Sequence, residues 1–489
     1  MRPLEWVVMI GAALLVVGWA AGWRLRRWVP ALLAVVVVVH LAIEGQRLVM
    51  WPLYAIVAIA LIGVLVRSPN QPPGRGRWRT VGRAVVALLL LVAIVPLPWL
   101  WPVMRLPAPT GPYPVGTSWL VVVDSSRQER FAAGGVREFP VKAWYPAKAG
   151  SAEPRAPYAS SHEMNLGGLL PPALFLQSRY VRTHALLDAP LATGDERFPT
   201  IVFSHGYSGY AAQNTPQMEQ LASLGYVVFS IAHTGEAAAA VFPDGRVVGF
   251  DKDAQAKMRK QAAAETIAEM MAIMARLDSA KTEDERAAAY REFLAKTPEP
   301  LRSESVIEWA ADTRVLVDRL EGINAGVGAS PFAGRLDLER LGIMGMSYGG
   351  ATAGEFCRVD RRCRAGLNID GGQFGPLIDD SLTVPFFIMS SETARAVHLP
   401  ILDVARGPAY LVTIPQTTHV GLTDLSLQAP VLFRWANLTG RLDPDRRERL
   451  MTEYTVAFFD TYLKGQRSPL LDGPSPAEPD VSFVGRNLP

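Results

Sequence analysis

Residues 341–354 read LGIMGMSYGGATAG, and this stretch decides the fold class. LGIM is an apolar run of strand length, Gly345-Met346-Ser347-Tyr348-Gly349 fits G-x-S-x-G, and the small residues of ATAG can open a helix. Strand, tight turn and helix in that order hold a serine side chain at a strained corner, and the flanking glycines let the backbone pass closely. Ser347 is therefore the candidate nucleophile.

Working outward, the neighbours repeat the alternation. PTIVF (199–203) reads as a buried strand, Pro216–Leu224 as a helix and 226–232 as a second strand. Downstream, 365–369, 384–390 and 409–414 are apolar strand candidates, with helices expected over 304–320 and 446–463. Two shorter β-like runs, 119–123 and 141–145, come first. Strands alternating with helices indicate an α/β class with a mainly parallel sheet. Residues 251–297 interrupt the pattern. They are rich in Ala, Lys, Glu and Met and read as one or two amphipathic helices, with Met258, Met270, Met271 and Met274 suggesting an apolar face. A helical insertion packed on the sheet is the plain expectation; a lid or a lipid-facing surface is the sharper one.

A serine hydroxyl needs a base, and the base an orienting acid. Only His398 and His419 follow Ser347. His419 stands in PQTTHVG after the strand AYLVTI, where strand ends converge, and is favoured as the base over His398. Asp370 ends the strand after the nucleophile helix, in LNIDGG; Glu392, ending FFIMSSE, is the alternative acid. An oxyanion hole needs two backbone N–H groups aimed at the developing charge. Tyr348, directly after the nucleophile, supplies one. Tyr207, in SHGYSG after PTIVF, offers the other, with His205 ordering that loop rather than acting as a base. Cys357 and Cys363, six residues apart, make a candidate disulfide if the domain lies outside the cytoplasm; two buried thiols are the alternative.

The first hundred residues differ in kind. Apolar runs at 6–23, 28–43, 48–66 and 84–104 predict a transmembrane region of about four helices, the second short at 16 residues. Residues 1–104 carry ten Arg against Glu5 and Glu44, a net +8, which leaves the remainder at −5. Arg24, Arg26 and Arg27 fall in the first break, and Arg67, Arg75, Arg77, Arg79 and Arg83 in the third. Positive loops stay in the cytoplasm, so both breaks face inward and the chain beyond about residue 105 lies outside if all four runs cross. Nothing in the acidic remainder suggests a phosphate backbone as partner, and no nucleic-acid partner is expected. Two Cys in 489 residues exclude a disulfide scaffold and a Cys-rich zinc module. Residues 105–118 read as a linker, 119–475 as the catalytic domain with the 251–297 insertion, and 476–489 as a tail.

The pieces FSHGYSG, LASLGYVVFSIAHT, DTRVLVDRLEGIN, LGIMGMSYGGAT, CRAGLNIDGG, PFFIMSSE and the TTH loop together resemble the platelet-activating factor acetylhydrolase family of plasma type, with its bacterial relatives. The resemblance implies an α/β-hydrolase fold and cleavage of short or oxidised acyl chains from lipid esters with neither metal nor cofactor. It favours Asp370 as the acid and places the oxyanion donors at Tyr207 and Tyr348. This sequence departs from the family in its N-terminal anchor, in GGQFG after the acid, and in the 251–297 insertion. The expected function is a membrane-anchored serine ester hydrolase whose partners are a lipid or small ester and the membrane. A cutinase- or polyesterase-like hydrolase, an acyltransferase using the same triad, and a non-catalytic tethered module are the alternatives.

Overall fold

The computed structural model describes residues 1–23, 26–66, 77–132, 134–164, 172–251, 253, 256, 264–297 and 299–489. Arg24, Arg67, Arg75, Met258 and part of the 251–297 insertion therefore lie outside the described residues. The chain divides into two compact units, Met1–Met104 with Ala173–Tyr180 and Gln428–Leu432, and the rest.

In the first unit, helices span Pro3–Ala20, Trp28–Ile43 and Trp51–Val66. A further helix, Arg77–Leu89, runs through a π turn, Leu90–Ile94, and is followed by Leu97–Leu100. Among the described residues three segments are long and apolar enough to cross a bilayer, Pro3–Ala20, Leu48–Val66 and Thr80–Leu100. Trp28–Ile43 has 16 residues, about 24 Å at the helical rise and short of a 30 Å core. The last described span, Thr80–Leu100, overlaps the expected run 84–104.

Apolar side chains sit on both faces of this bundle. Val8, Ala12, Met50, Leu53 and Val95 pack inside, while Ile10, Leu14, Val35, Ile59, Leu88 and Val92 are exposed. Gly11 lets two helices approach closely, since a Cβ there would stand 2.6 Å from Leu33 Cδ1. One end carries a polar cap. Arg47 donates to Glu5 Oε1 (2.6 Å) and to the Trp101 carbonyl (2.6 Å), and the Leu4 N–H donates to Glu44 Oε1 (2.9 Å). The start of the first helix, the turn after the second and the end of the last thus lie together. The short second helix returns the chain to the end where the first begins.

The second unit is built on a sheet. Its strands are β1 (Val115–Gln128), β2 (Val136–Pro146), β3 (Arg155–Pro157), β4 (Arg182–Leu187), β5 (Phe198–Ser204), β6 (Val227–Ile231), β7 (Ala239–Val241), β8 (Val247–Gly249), β9 (Leu336–Met346), β10 (Ala365–Ile369), β11 (Phe386–Ser391), β12 (Ala409–Ile414) and β13 (Ser482–Arg486). Eleven pair in the order β13-β12-β11-β10-β9-β5-β6-β2-β1-β4-β3, and β7 and β8 form a separate hairpin. From β6 to β12 the neighbours run parallel, as βαβ crossovers require.

Strand side chains alternate between two cores. Val202, Ile343 and Phe386 face one layer with Leu316, Leu320 and Phe356; Phe203, Met344 and Phe387 face the other with Met218, Tyr454 and Phe458. The inserted segment forms two helices, Ala264–Ser279 and Glu283–Lys296. They bury Ile273, Leu277 and Tyr290 in the first core, as a packed insertion would.

Two boundaries differ from expectation. β1 starts at Val115, inside the expected linker 105–118, because the chain after Pro114 pairs at once with β2. The expected tail 476–489 contains β13, which adds antiparallel to β12 and covers that sheet edge.

Candidate active site

β9 ends at Met346, and Ser347 follows at φ 55°, a left-handed conformation unusual for a residue with a Cβ. The turn is packed against the β5 loop. A Cβ on Gly349 would fall 1.9 Å from the Ser204 carbonyl oxygen, and one on Gly345 would fall 2.1 Å from the Gly349 backbone. Only glycine fits at either position. The helix Tyr348–Val359 starts directly after the serine, with no side chain capping it.

Asp370 follows β10, also at positive φ (55°). Strain at two adjacent strand ends is typical of a functional site. The acid turn is clamped by Asn368, which accepts from the Gly371 N–H (2.7 Å) and donates to the Gly371 carbonyl (2.8 Å). His419 follows β12 in the loop that opens with Pro415.

The three strand ends bring their side chains together. Ser347 Oγ donates to His419 Nε2 across 2.9 Å, and His419 Nδ1 donates to Asp370 Oδ2 across 2.8 Å. Asp370 is buried, Ser347 partly so, and the His419 side chain is 48% exposed, so the chain of bonds leads from the interior to the surface. Burial pushes the Asp370 carboxyl up, but the His419 hydrogen bond and the Ser391 N–H hold it below its ordinary value overall. Ser391 escaped the sequence reading. Its N–H donates to Oδ1 (2.6 Å) and its hydroxyl to Oδ2 (2.8 Å), which fixes the carboxylate plane.

Glu392 is not placed against His419. Its Oε2 accepts the Gln416 N–H (2.9 Å) and so supports the loop that carries the histidine. His398 is wholly buried and makes no contact with Ser347; its Nδ1 lies 2.9 Å from Ser390 Oγ. Cys357 and Cys363 are bonded, Sγ to Sγ 2.01 Å.

On the other side of the serine, the β5 loop comes close enough that a Cβ on Gly206 would stand 3.2 Å from Ser347 Cβ. Among the described residues no hydrogen bond uses the backbone N–H of Tyr207 or of Tyr348. His205 orders this loop. Its Nδ1–H donates to the Gly206 carbonyl (2.7 Å), and its Nε2 accepts the His233 N–H (3.2 Å). Burial, then His233, drives His205 down to about 3, so it stays neutral.

His233 stacks on Trp309 (3.9 Å) and bridges Asp312 (2.9 Å) and Ser204 Oγ (3.1 Å). Asp312 is in turn paired with the buried Arg137 (2.5 Å). Beside them Glu236, pushed up to about 7 by burial, accepts from Ser305 Oγ and from Trp309 Nε1 (2.7 Å), and its carbonyl accepts the Ser208 N–H (3.0 Å). None of this network was visible from spacing, because its members come from β2, β5 and its loop, the β6 loop and the helix Glu304–Asn324.

A family model of platelet-activating factor acetylhydrolase, isoform II, matches residues 101–469. The chain belongs to this family. The acetylhydrolase of Cavia porcellus is 23% identical over 372 residues, covering 73% of this chain and 78% of that protein. That of Gallus gallus is 22% identical, covering 58% and 67%. Among solved structures, a ferulic acid esterase from Streptomyces cinnamoneus is similar at a TM-score of 0.59 and 28% identity, over 78% of this chain and all of that one. The chain is a serine ester hydrolase of the α/β-hydrolase fold.

Proposed function

We propose that Ser347, His419 and Asp370 form the catalytic triad of a membrane-anchored carboxylic-ester hydrolase acting on lipid or short-chain acyl esters. The observation that carries this reading is the continuous set of hydrogen bonds from Ser347 Oγ through His419 to Asp370. Ser347 Oγ attacks the ester carbonyl carbon while His419 Nε2 takes the hydroxyl proton. The Tyr207 and Tyr348 N–H groups hold the oxyanion, and Asp370 stabilises the imidazolium without taking its proton. Collapse expels the alcohol, which receives the proton from His419. Water then repeats the sequence on the acyl-enzyme and releases the acid.

Anchoring is supported by the three span-length helices. An outward-facing catalytic domain is supported by Arg26 and Arg27 in the first break and by Arg83 in the first turn of the span Thr80–Leu100. The polar cap adds support by gathering residues 4–5, 44–47 and 101 at the opposite end, where the chain leaves the bundle. A second reading, an aromatic acyl group, is favoured by the ring cluster of Tyr207, Trp309, Tyr348 and Phe374 beside the nucleophile, with centroids 5.0–6.2 Å apart. It is also favoured by the likeness to the ferulic acid esterase.

The test is labelling of intact cells by a membrane-impermeant fluorophosphonate, followed by peptide mapping, with p-nitrophenyl butyrate and methyl ferulate compared on the purified chain. Adduct on Ser347 and loss of ester turnover in Ser347→Ala support the reading. Unchanged turnover in that variant overturns it, and labelling only after lysis overturns the sidedness.

A further inference from the structure

His398 is the other histidine that follows Ser347; the reaction does not use it, yet it lies directly behind the acid. It is fully buried on the helix Arg395–Asp403, and its Nε2 stands 4.0 Å from Asp370 Oδ1 with no hydrogen-bond partner among the described residues. Its Nδ1 is 2.9 Å from Ser390 Oγ. We assign the Ser390 hydroxyl proton to the Ser391 carbonyl (2.8 Å), an obligate acceptor, which leaves the Ser390 oxygen to accept and Nδ1 to carry the proton.

The bonds therefore have one direction. His398 Nδ1–H donates to Ser390 Oγ, Ser390 O–H donates to Ser391 O, and Ser391 donates its N–H and its hydroxyl to the two oxygens of Asp370.

We propose that His398 is a positioning residue for the catalytic acid, acting through Ser390 and Ser391. The carboxylate plane decides where Oδ2 meets His419, and that plane is set by two donors from a single residue whose backbone His398 braces. A misplacement of about 1 Å in such a supporting group costs on the order of a hundredfold in rate. Burial holds His398 below its ordinary pKa, so it stays neutral at the pH of catalysis. Neutrality matters because an imidazolium 4.0 Å from Oδ1 would compete with His419 for the charge of Asp370.

The inference rests on the triad reading above. The test uses the full chain in detergent and short p-nitrophenyl esters. His398→Leu removes the brace and should lower kcat ten- to hundredfold with KM changed less than threefold. His398→Asn places an amide N–H where Nδ1–H stood and should restore kcat to within about threefold of wild type. His398→Gln places it where Nε2 stood and should not. In a Ser390→Ala background, His398→Leu should add less than a threefold further loss, since the hydroxyl that relays the contact is already gone.

Equal losses in the Asn and Leu variants, or losses that multiply fully with Ser390→Ala, overturn the proposal, and so does wild-type kcat in His398→Leu. Should His398→Leu fail to fold, the Asn and Gln pair decides: rescue by Asn alone supports the brace, and any other ranking overturns it. Failure of this inference leaves Ser347→Ala and Asp370→Asn inactive, whereas failure of the triad reading leaves them active.

Discussion

Replacing Asp370 by Asn changes one atom, and its consequence can be followed bond by bond. The Ser391 N–H, 2.6 Å from Oδ1, needs an acceptor, so the amide oxygen takes that place. The amide nitrogen then stands where Oδ2 was, 2.8 Å from His419 Nδ1 and 2.8 Å from Ser391 Oγ. Nδ1 now faces a donor and must present its lone pair, which moves the ring proton to Nε2. That nitrogen is 2.9 Å from Ser347 Oγ and is no longer able to take the serine proton. The charge that stabilised the imidazolium is lost as well. A triad with the wrong tautomer loses on the order of 10⁴ in kcat, about 5 kcal/mol of transition-state stabilisation. Initial rates on p-nitrophenyl butyrate at pH 7.5, alongside a denaturation midpoint to confirm folding, measure it. A folded Asp370→Asn protein within tenfold of wild type would refute the reasoning.

Other outcomes follow from neighbouring contacts. Glu392→Gln should lose less than tenfold in kcat, because Glu392 serves the Gln416 N–H and not the imidazole; a loss rivalling Asp370→Asn would reassign the acid. Gly349→Ala forces a Cβ to 1.9 Å from the Ser204 carbonyl and so displaces the loop that bears Tyr207. It should cost about a hundredfold or more in kcat, whereas Gly82→Ala, with open space around it, should leave the rate unchanged. Asp424 accepts from Tyr158 OH (2.7 Å) and the Thr215 N–H (2.9 Å), and burial raises it to about 8. Its raised pKa means that it stabilises the fold when protonated, and this contribution fades as pH climbs from about 4 to about 8. Urea midpoints at pH 5 and pH 8 should therefore differ less in Asp424→Asn than in wild type.

The parallel sheet was legible because its strands contain short apolar runs, with Ser204, Ser347 and Asp370 marking the ends of three of them. Ser347, Asp370 and His419 were marked by their places after such runs, and these are the residues the structure brings within hydrogen-bond distance. Ser391 and His398 were not legible as partners of Asp370, because a one-dimensional pattern does not say that β11 lies beside β10 in a register pairing Ile369 with Met389. The buried pair of Arg137 and Asp312 joins residues 175 apart and leaves no periodic trace. β13 was hidden by its length of five residues and by the Pro-rich stretch before it. In the N-terminal unit, length alone left Trp28–Ile43 ambiguous. Its return is fixed by contacts of Arg47 and Glu44, charges that hydropathy counts only as interruptions.

The central claim is that ester cleavage passes through an acyl group on one serine. It is tested most directly by acid-quenching the enzyme during turnover of a slowly deacylating p-nitrophenyl ester and locating the added acyl mass by peptide sequencing. The account requires that mass on Ser347, at up to one equivalent, and its absence in Ser347→Ala. Acyl mass on another residue, or undiminished turnover with none on Ser347, would contradict it.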